Sequence, residues 1–156
     1  MAYRNTASFG KRQEYVVVAE LLKRHYDVYM TLVDDQGIDC VVRIDDKTYI
    51  DIQIKARSRT AEQWNFFAGM TIIPRDNYFF IFYLEKNNTF WVLPSADVVR
   101  HAHTNKSGKH KNKHSLTLPK SETAEKEKGF SMYKGDAGFC LLKNYSSIGL
   151  RRQKSP

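Results

Sequence analysis

Two neighbouring stretches of alternating hydrophobicity constrain the fold of this chain more than any other feature. Residues 38–44 place apolar side chains at every second position, and residues 48–57 do the same after a three-residue polar connection. A period of two is typical of a strand with one buried face, and two such runs joined by a short turn predict a β-hairpin. The two apolar faces must coincide, so parity excludes any register in which paired residue numbers sum to an odd value.

One register sets the apolar face of the first hairpin strand against the apolar face of the second. It joins residues whose numbers sum to 92, so that Cys40 faces Ile52 and Val42 faces Ile50, although sums of 90 and 94 remain possible. In this register the opposite face gathers polar side chains within cross-strand reach: Asp39, Asp51, Gln53 and Lys55. Two interpretations of this face stay open at this point, namely a solvated outer surface and a functional site.

The remaining patterns predict an α/β (α+β) fold with a mixed central β-sheet flanked by helices. Residues 11–25 have helical periodicity, with Tyr15, Val18, Leu22 and His25 on one stripe. Strands are predicted at 26–33, at 77–84 with both faces buried, and at 89–93. Ser95 is predicted to cap a short helix. Residues 58–76 receive no assignment, and residues 139–142 suit a strand or a helix.

The basic charge of the chain lies almost entirely in its last third. Residues 1–99 carry 12 Lys and Arg against 13 Asp and Glu, whereas residues 100–156 carry 13 against 4. Residues 101–129 contain few apolar side chains and predict a flexible basic loop. That loop either is merely solvated or binds a phosphate backbone through its lysines. Those lysines are Lys106, Lys109, Lys111 and Lys113.

Length and composition indicate one domain of 156 residues in a reduced, cytoplasmic protein. Its core is expected at about residues 8–100, with a C-terminal segment at 130–150 and a frayed tail at 151–156. No apolar run approaches the ~20 residues of a membrane span. Cys40 and Cys140 fall in apolar runs and are predicted to be free core thiols. The loop histidines have no zinc-finger spacing, and we expect them to be solvated.

Three segments, in this order, resemble the PD-(D/E)XK nuclease superfamily, which has the restriction-endonuclease-like and Holliday-junction-resolvase-like fold. They are Gly10-Lys11-Arg12-Gln13-Glu14 on the predicted helix, Gly37-Ile38-Asp39-Cys40-Val41-Val42 on the first hairpin strand and Asp51-Ile52-Gln53-Ile54-Lys55 on the second. The resemblance covers about residues 8–95. It implies a restriction-endonuclease-like core in which an antiparallel β-meander forms part of the mixed sheet.

The resemblance also implies a metal-dependent endonuclease that hydrolyses DNA in restriction, repair or recombination. Its catalytic set would be Glu14, Asp39, Gln53 and Lys55. Asp39 and Gln53 would bind Mg²⁺ or Mn²⁺ with help from Asp51, and Lys55 would stabilise the developing negative charge. Glu20 is the alternative to Glu14 as the helix carboxylate. Phosphate contacts are expected from Lys11 and Arg57 in addition to the loop lysines.

One position departs from the family pattern, because Gln53 stands where the pattern has an acidic residue. An amide oxygen still ligates a hard cation, but it adds no negative charge. Three hypotheses therefore remain: a DNA endonuclease, a nucleic-acid-binding module that has weak or no cleavage activity, and an RNA-binding protein that uses only its basic tail. Association into a homodimer is left open, and neither a membrane nor an organic cofactor is expected.

Overall fold

A computed structural model describes residues 3–33 and 36–145 of the chain. Its elements in order are α1 (Tyr3–Lys23), β1 (Asp27–Met30), β2 (Cys40–Arg43), β3 (Tyr49–Arg57), β4 (Phe66–Met70), β5 (Tyr78–Leu84), β6 (Thr89–Pro94), α2 (Ser95–His101), β7 (His103–Thr104), β8 (His114–Thr117), α3 (Glu122–Glu127), a 3₁₀ turn (Ser131–Tyr133) and α4 (Gly135–Lys143). The strands form a five-stranded sheet of order β1-β2-β3-β5-β6 and a three-stranded antiparallel sheet of order β4-β8-β7. The predicted fold class is confirmed.

The hairpin of β2 and β3 has the predicted register. Cys40 pairs with Ile52 and Val42 with Ile50, so that paired residue numbers sum to 92. The other neighbour of β3 is β5, which runs parallel to it and pairs Gln53 with Phe80. This parallel pair makes the five-stranded sheet mixed, because the contacts of β1 with β2 and of β5 with β6 are antiparallel.

The larger sheet is covered on both faces. One face packs against α1 and α4, which contribute Val17, Leu21 and Phe139 to that core layer. The other face packs against the smaller sheet, where Phe67 and Leu116 join the core. All seven residues of β5 are buried because this strand lies between the two layers. The prediction of a strand buried on both faces is therefore confirmed.

Helix α1 turns a different stripe toward the core from the predicted one. Its buried positions include Gln13, Val17 and Leu21. Of the predicted stripe only Val18 is buried, whereas Tyr15 and Leu22 are 59% and 53% exposed. Two apolar stripes lie side by side on this helix, and the polar Gln13 on the buried one concealed it. The helix also begins earlier than residue 11 and ends at Lys23. No described helix is both long enough and apolar enough to cross a membrane.

Ser95 begins a helix as expected but does not cap it. Pro94 occupies the N-cap position without a side-chain cap. The Ser95 hydroxyl instead accepts a hydrogen bond from the Arg75 N–H at 3.0 Å and donates one to the Arg75 carbonyl at 2.9 Å. Ser95 thus fixes the segment that leads into β5. Of the unassigned residues 58–76, five form β4, and residues 139–142 belong to α4.

The prediction of a flexible loop over residues 101–129 is wrong in its extent. Strands β7 and β8 and helix α3 lie within this range, and Leu116 and Leu118 are fully buried. These two leucines suffice to attach the segment to the core. The remaining basic loop comprises residues 105–113 and is closed by a hydrogen bond from the Asn105 N–H to the Lys113 carbonyl at 2.9 Å. The predicted tail at 151–156, together with residues 146–150, lies outside the described residues.

Replacing Leu21 with alanine tests the buried stripe of α1. Leu21 is fully buried, so we expect the Leu21→Ala variant to lose about 2–5 kcal/mol of unfolding free energy. Leu22→Ala is the matched control on the neighbouring exposed position and should change this free energy by about 0.5 kcal/mol or less. Urea denaturation measures both variants. Equal losses would contradict the placement of the stripe.

Candidate active site

The larger sheet has an open edge where β2 ends. The pairing of β2 with β3 ends at Cys40 opposite Ile52, apart from one further hydrogen bond from the Asp39 N–H to the Ile52 carbonyl at 2.9 Å. Strand β3 continues to Arg57 beside β5. In the described part of the chain no strand pairs with the other side of residues 53–57. Side chains from both faces of the sheet can therefore meet at this free edge.

Asp39 occupies the beginning of the free edge. Its side chain is buried, and its Oδ2 accepts a hydrogen bond from the Ile54 N–H at 2.6 Å. The carboxylate thus satisfies a backbone donor that a neighbouring strand would otherwise satisfy. Thr31 supports the approach of this segment by donating its hydroxyl hydrogen to the Ile38 carbonyl at 2.7 Å. As a result the Asp39 carboxylate is fixed at the free edge of β3.

Gln53 and Lys55 follow on one face of β3. The Gln53 Oε1 accepts a hydrogen bond from the Tyr78 hydroxyl at 2.9 Å, and that hydroxyl also lies 3.1 Å from the Gly37 carbonyl. Gly37 has a φ of 69°, and a Cβ there would lie 2.9 Å from the Gln53 Nε2. The loop before β2 therefore packs directly on the amide of Gln53, and only glycine suits this position.

Glu14 reaches the same place from α1. A pocket of about 320 Å³ is lined by Glu14, Asp39, Gln53 and Lys55 together with Thr6, Phe9, Gly10, Ile54 and Ala56. Lys11 forms an ion pair with Glu14 one helical turn away, and this hydrogen bond raises the pKa of Lys11. Glu20 is not part of this pocket, because it pairs with Arg24 at 2.7 Å. The structure thus brings together four of the predicted site residues.

Asp51 is not brought into this pocket. Its carboxylate lies 3.1 Å from the Arg75 guanidinium, and its backbone pairs with Val41 in the closed part of the hairpin. Asp51 shares a face with Gln53, as predicted. It lies in the part of β3 that β2 still flanks, however, whereas Gln53 lies beyond the end of β2. The sequence pattern of the face does not reveal that point.

The predicted phosphate contacts occupy two regions. Arg57 lines a neighbouring pocket that also contains Lys55, and Lys11 lies beside Glu14. The loop lysines at 106, 109, 111 and 113 are all exposed on the loop of residues 105–113. Sequence reasoning missed Tyr78 and Gly37 as supports of Gln53. The available signal was a glycine shortly before the first hairpin strand, but the contact with Tyr78 depends on parallel pairing that no local pattern shows.

The two cysteines have different environments. Cys40 is fully buried, and this burial, followed by the nearby charges of Asp39 and Glu14, raises its thiol pKa to about 12. It is a core thiol, as predicted. Cys140 is exposed, so the prediction that it lies in the core is wrong. Helix α4 buries Phe139 and Leu142 and turns Cys140, which follows Phe139, toward solvent.

The oxygen atoms of the pocket suit a hard divalent cation. Glu14 and Asp39 supply carboxylates and Gln53 supplies an amide oxygen, and Mg²⁺ prefers such ligands. Among the described residues, no group of three or more His, Cys, Asp and Glu is arranged to hold a metal ion. Because it has two carboxylates and one amide, the pocket carries less negative charge than a site with three carboxylates.

The fold is similar to that of a known endonuclease. No protein-family model matches the sequence, and no curated protein matches it. Among solved structures, the chain is similar to a bacterial homing endonuclease, I-Ssp6803I, with a TM-score of 0.61 and 16% sequence identity. The alignment covers 94% of this chain and 96% of that chain. The chain thus has a nuclease-like α/β fold over nearly its whole length.

Replacing Gly37 with alanine tests the support of Gln53. We expect the Gly37→Ala variant to be destabilised, because its positive φ is unfavourable for alanine and its Cβ would collide with the Gln53 amide. In Gly10→Ala, the added Cβ on α1 meets nothing within 4 Å, so this control should be stabilised by about 0.5–1 kcal/mol. Thermal unfolding measures both. A Gly37→Ala variant as stable as the control would contradict the packing described.

Thiol titration tests the assignment of the cysteines. At pH 8 we expect a disulfide reagent to modify Cys140 quickly in the native protein, whereas Cys40 should react only after denaturation. Burial excludes the reagent from Cys40, and a pKa of about 12 leaves that thiol protonated at this pH. Cys40→Ala and Cys140→Ala assign the two reactions. Fast native reaction in the Cys140→Ala variant would contradict the burial of Cys40.

Proposed function

We propose that this protein is a metal-dependent endonuclease that hydrolyses phosphodiester bonds of DNA. The observation that carries the proposal is the meeting of Glu14, Asp39, Gln53 and Lys55 in one pocket at the free edge of β3. The fold supports the proposal because it is shared with a homing endonuclease. The order of these residues along the chain, and the Gln-x-Lys spacing on β3, agree with a PD-(D/E)XK nuclease.

Three of these four residues would bind a metal ion in this proposal. Glu14, Asp39 and the Gln53 amide oxygen would hold a Mg²⁺ or Mn²⁺ ion. Such an ion, when bound, supplies Lewis acidity toward the phosphate and lowers the pKa of water. The hydrogen bond from Tyr78 orients the Gln53 amide. The backbone donor of Ile54 fixes the Asp39 carboxylate.

Lys55 supplies a positive charge to the pocket. It lies two residues beyond Gln53 on β3 and is half-buried. The ion pairs of the described residues include Lys11, Arg24, Arg43, Arg59, Arg75, Arg100 and Lys134 but not Lys55. The Lys55 charge is therefore available to stabilise the negative charge that develops on a phosphate in the transition state.

A second candidate function is a nucleic-acid-binding module with weak or no cleavage activity. The observation that favours it is Gln53, whose amide leaves the pocket with two carboxylates. The two candidates share the fold and the exposed lysines of residues 105–113, and they differ in whether a metal ion promotes cleavage. Activity measurements therefore distinguish them.

Cleavage of supercoiled plasmid DNA in Mg²⁺ or Mn²⁺ tests the proposed function. We expect Lys55→Met and Asp39→Asn to lower the rate of nicking at least ~100-fold, since removal of one preorganised charge-stabilising group has an effect of this size. Arg12→Gln removes an exposed charge from α1 outside the pocket and should retain activity. Absence of metal-dependent nicking by the wild-type protein would contradict the endonuclease and favour the binding module.

Replacing Gln53 with glutamate tests its role as a metal ligand. A carboxylate at this position adds the missing negative charge and can still accept the hydrogen bond from Tyr78. We expect Gln53→Glu to bind Mn²⁺ more tightly and to reach half-maximal nicking at a lower metal concentration. Isothermal titration calorimetry measures the affinity. An unchanged or weaker Mn²⁺ affinity would contradict a ligand role for Gln53.

A further inference from the structure

A second pocket adjoins the candidate active site on the far side of Lys55. It also has a volume of about 320 Å³, and it lies between β3 and β4. Its lining residues are Gln53, Lys55, Ala56 and Arg57 on β3 and Phe67, Ala68, Gly69, Met70 and Thr71 on and after β4. Gln53, Lys55 and Ala56 also line the first pocket. The two pockets therefore adjoin along β3, and together they are termed the groove.

Arg57 brings an unsatisfied donor into this groove. Its Nε is buried and has no hydrogen-bond partner, and Arg57 is absent from the ion pairs of the described residues. The nearby Arg59 is different, since it is exposed and lies 3.9 Å from the Glu85 carboxylate. A buried donor without an acceptor is unfavourable, and the planar guanidinium group fits the oxygens of a phosphate. The missing acceptor is thus expected to be an anionic oxygen.

Lys55 and Arg57 are spaced in a way that suits a nucleic-acid backbone. They are two residues apart on the same face of β3, a separation of about 6.6 Å along a strand. Neighbouring phosphates of one nucleic-acid strand repeat on a similar scale. The charged side chains that line the second pocket are these two cations, and no carboxylate is among its lining residues. A chain of phosphates is the anion that would contact both positions at once.

The opposite wall of the groove connects it to the basic loop. Gly69 of β4 lines the pocket and has a φ of 69°, and a Cβ there would lie 2.3 Å from the Nδ1 of His110. His110 belongs to the loop of residues 105–113, so this loop packs on the residue that forms the groove wall. The four exposed lysines of the loop therefore lie on a segment that packs against a wall of the pocket that Arg57 also lines.

We propose that Arg57 and the facing segment of β4, from Gly69 to Thr71, form a second phosphate-binding site. It binds the phosphodiester next to the one at Lys55 and directs the DNA strand toward the basic loop. This inference rests on the proposed function, because the first site is assumed to hold the phosphate that is cleaved. It adds a path for the substrate strand and identifies Arg57 as a residue that binds the strand rather than one that takes part in the chemical step.

The salt dependence of DNA binding tests this site. The probe is a short fluorescein-labelled DNA duplex, and fluorescence anisotropy in EDTA measures its affinity at several salt concentrations without cleavage. Loss of one phosphate contact lowers the slope of log affinity against log salt by about 0.9. We expect this decrease for Arg57→Gln, an unchanged slope for the control Arg59→Gln, and a slope close to that of the wild type for Arg57→Lys. Thermal unfolding verifies that each variant is folded.

The outcomes separate this inference from the proposed function. A folded Arg57→Gln variant with the slope of the wild type would overturn the second site, whether or not the protein cleaves DNA. Wild-type protein that binds the duplex with the expected loss in Arg57→Gln, but does not nick plasmid in Mg²⁺ or Mn²⁺, would overturn hydrolysis and leave the phosphate site in place. No binding of the duplex by the wild type would overturn the second site, and plasmid nicking in Mg²⁺ or Mn²⁺ would then still decide the proposed function.

Discussion

The hydrogen bond from the Ile54 N–H to the Asp39 carboxylate is the interaction on which the candidate site depends. At 2.6 Å, it replaces the strand pairing that ends at Cys40 opposite Ile52. A regular continuation of β2 would cover the edge of β3 and turn Asp39 away from it. Because the side chain takes over the pairing, the sheet keeps its backbone donor satisfied and gains a fixed negative charge at an open edge.

The covering of both sheet faces explains why the site lies at this edge. One face of the larger sheet is occupied by α1 and α4 and the other by the smaller sheet, and β5 is buried along its whole length. Polar groups of β3 thus reach solvent where β2 no longer flanks the strand. Glu14 arrives from the helical face, and Gln53 and Lys55 arrive from the other. Two pockets that share Gln53 and Lys55 follow from the same arrangement.

The sequence predicted what depends on local alternation and failed where tertiary contacts decide. The hairpin register followed from two matched apolar faces, and the burial of β5 followed from its continuous apolar run. The buried stripe of α1 did not, because a polar residue, Gln13, lies on it. The sequence also failed to predict that the basic segment forms regular secondary structure. Two buried leucines, Leu116 and Leu118, attach that segment to the core.

The candidate site, too, was predicted where it depends on local alternation and missed where it depends on tertiary contacts. Asp39, Gln53 and Lys55 could be grouped because they share a hairpin face, and Glu14 came from the family resemblance. Asp51 shares that face, yet it pairs with Arg75 at 3.1 Å, since the end of β2 cannot be located from alternation alone. Gln53 and Tyr78 are 25 positions apart, and their contact depends on the parallel pairing of β3 with β5.

Paramagnetic NMR with Mn²⁺ tests the central claim, a divalent-cation site at the free edge of β3, most directly. A third pocket, which shares no lining residue with the other two, provides an internal comparison, because it is lined by Asp27, Asp45 and Asp46. We expect substoichiometric Mn²⁺ to broaden the backbone amide signals of Asp39 and Ile54 first, and Asp39→Asn to abolish that effect. Broadening centred on Asp45 and Asp46, or unchanged broadening in Asp39→Asn, would contradict the account.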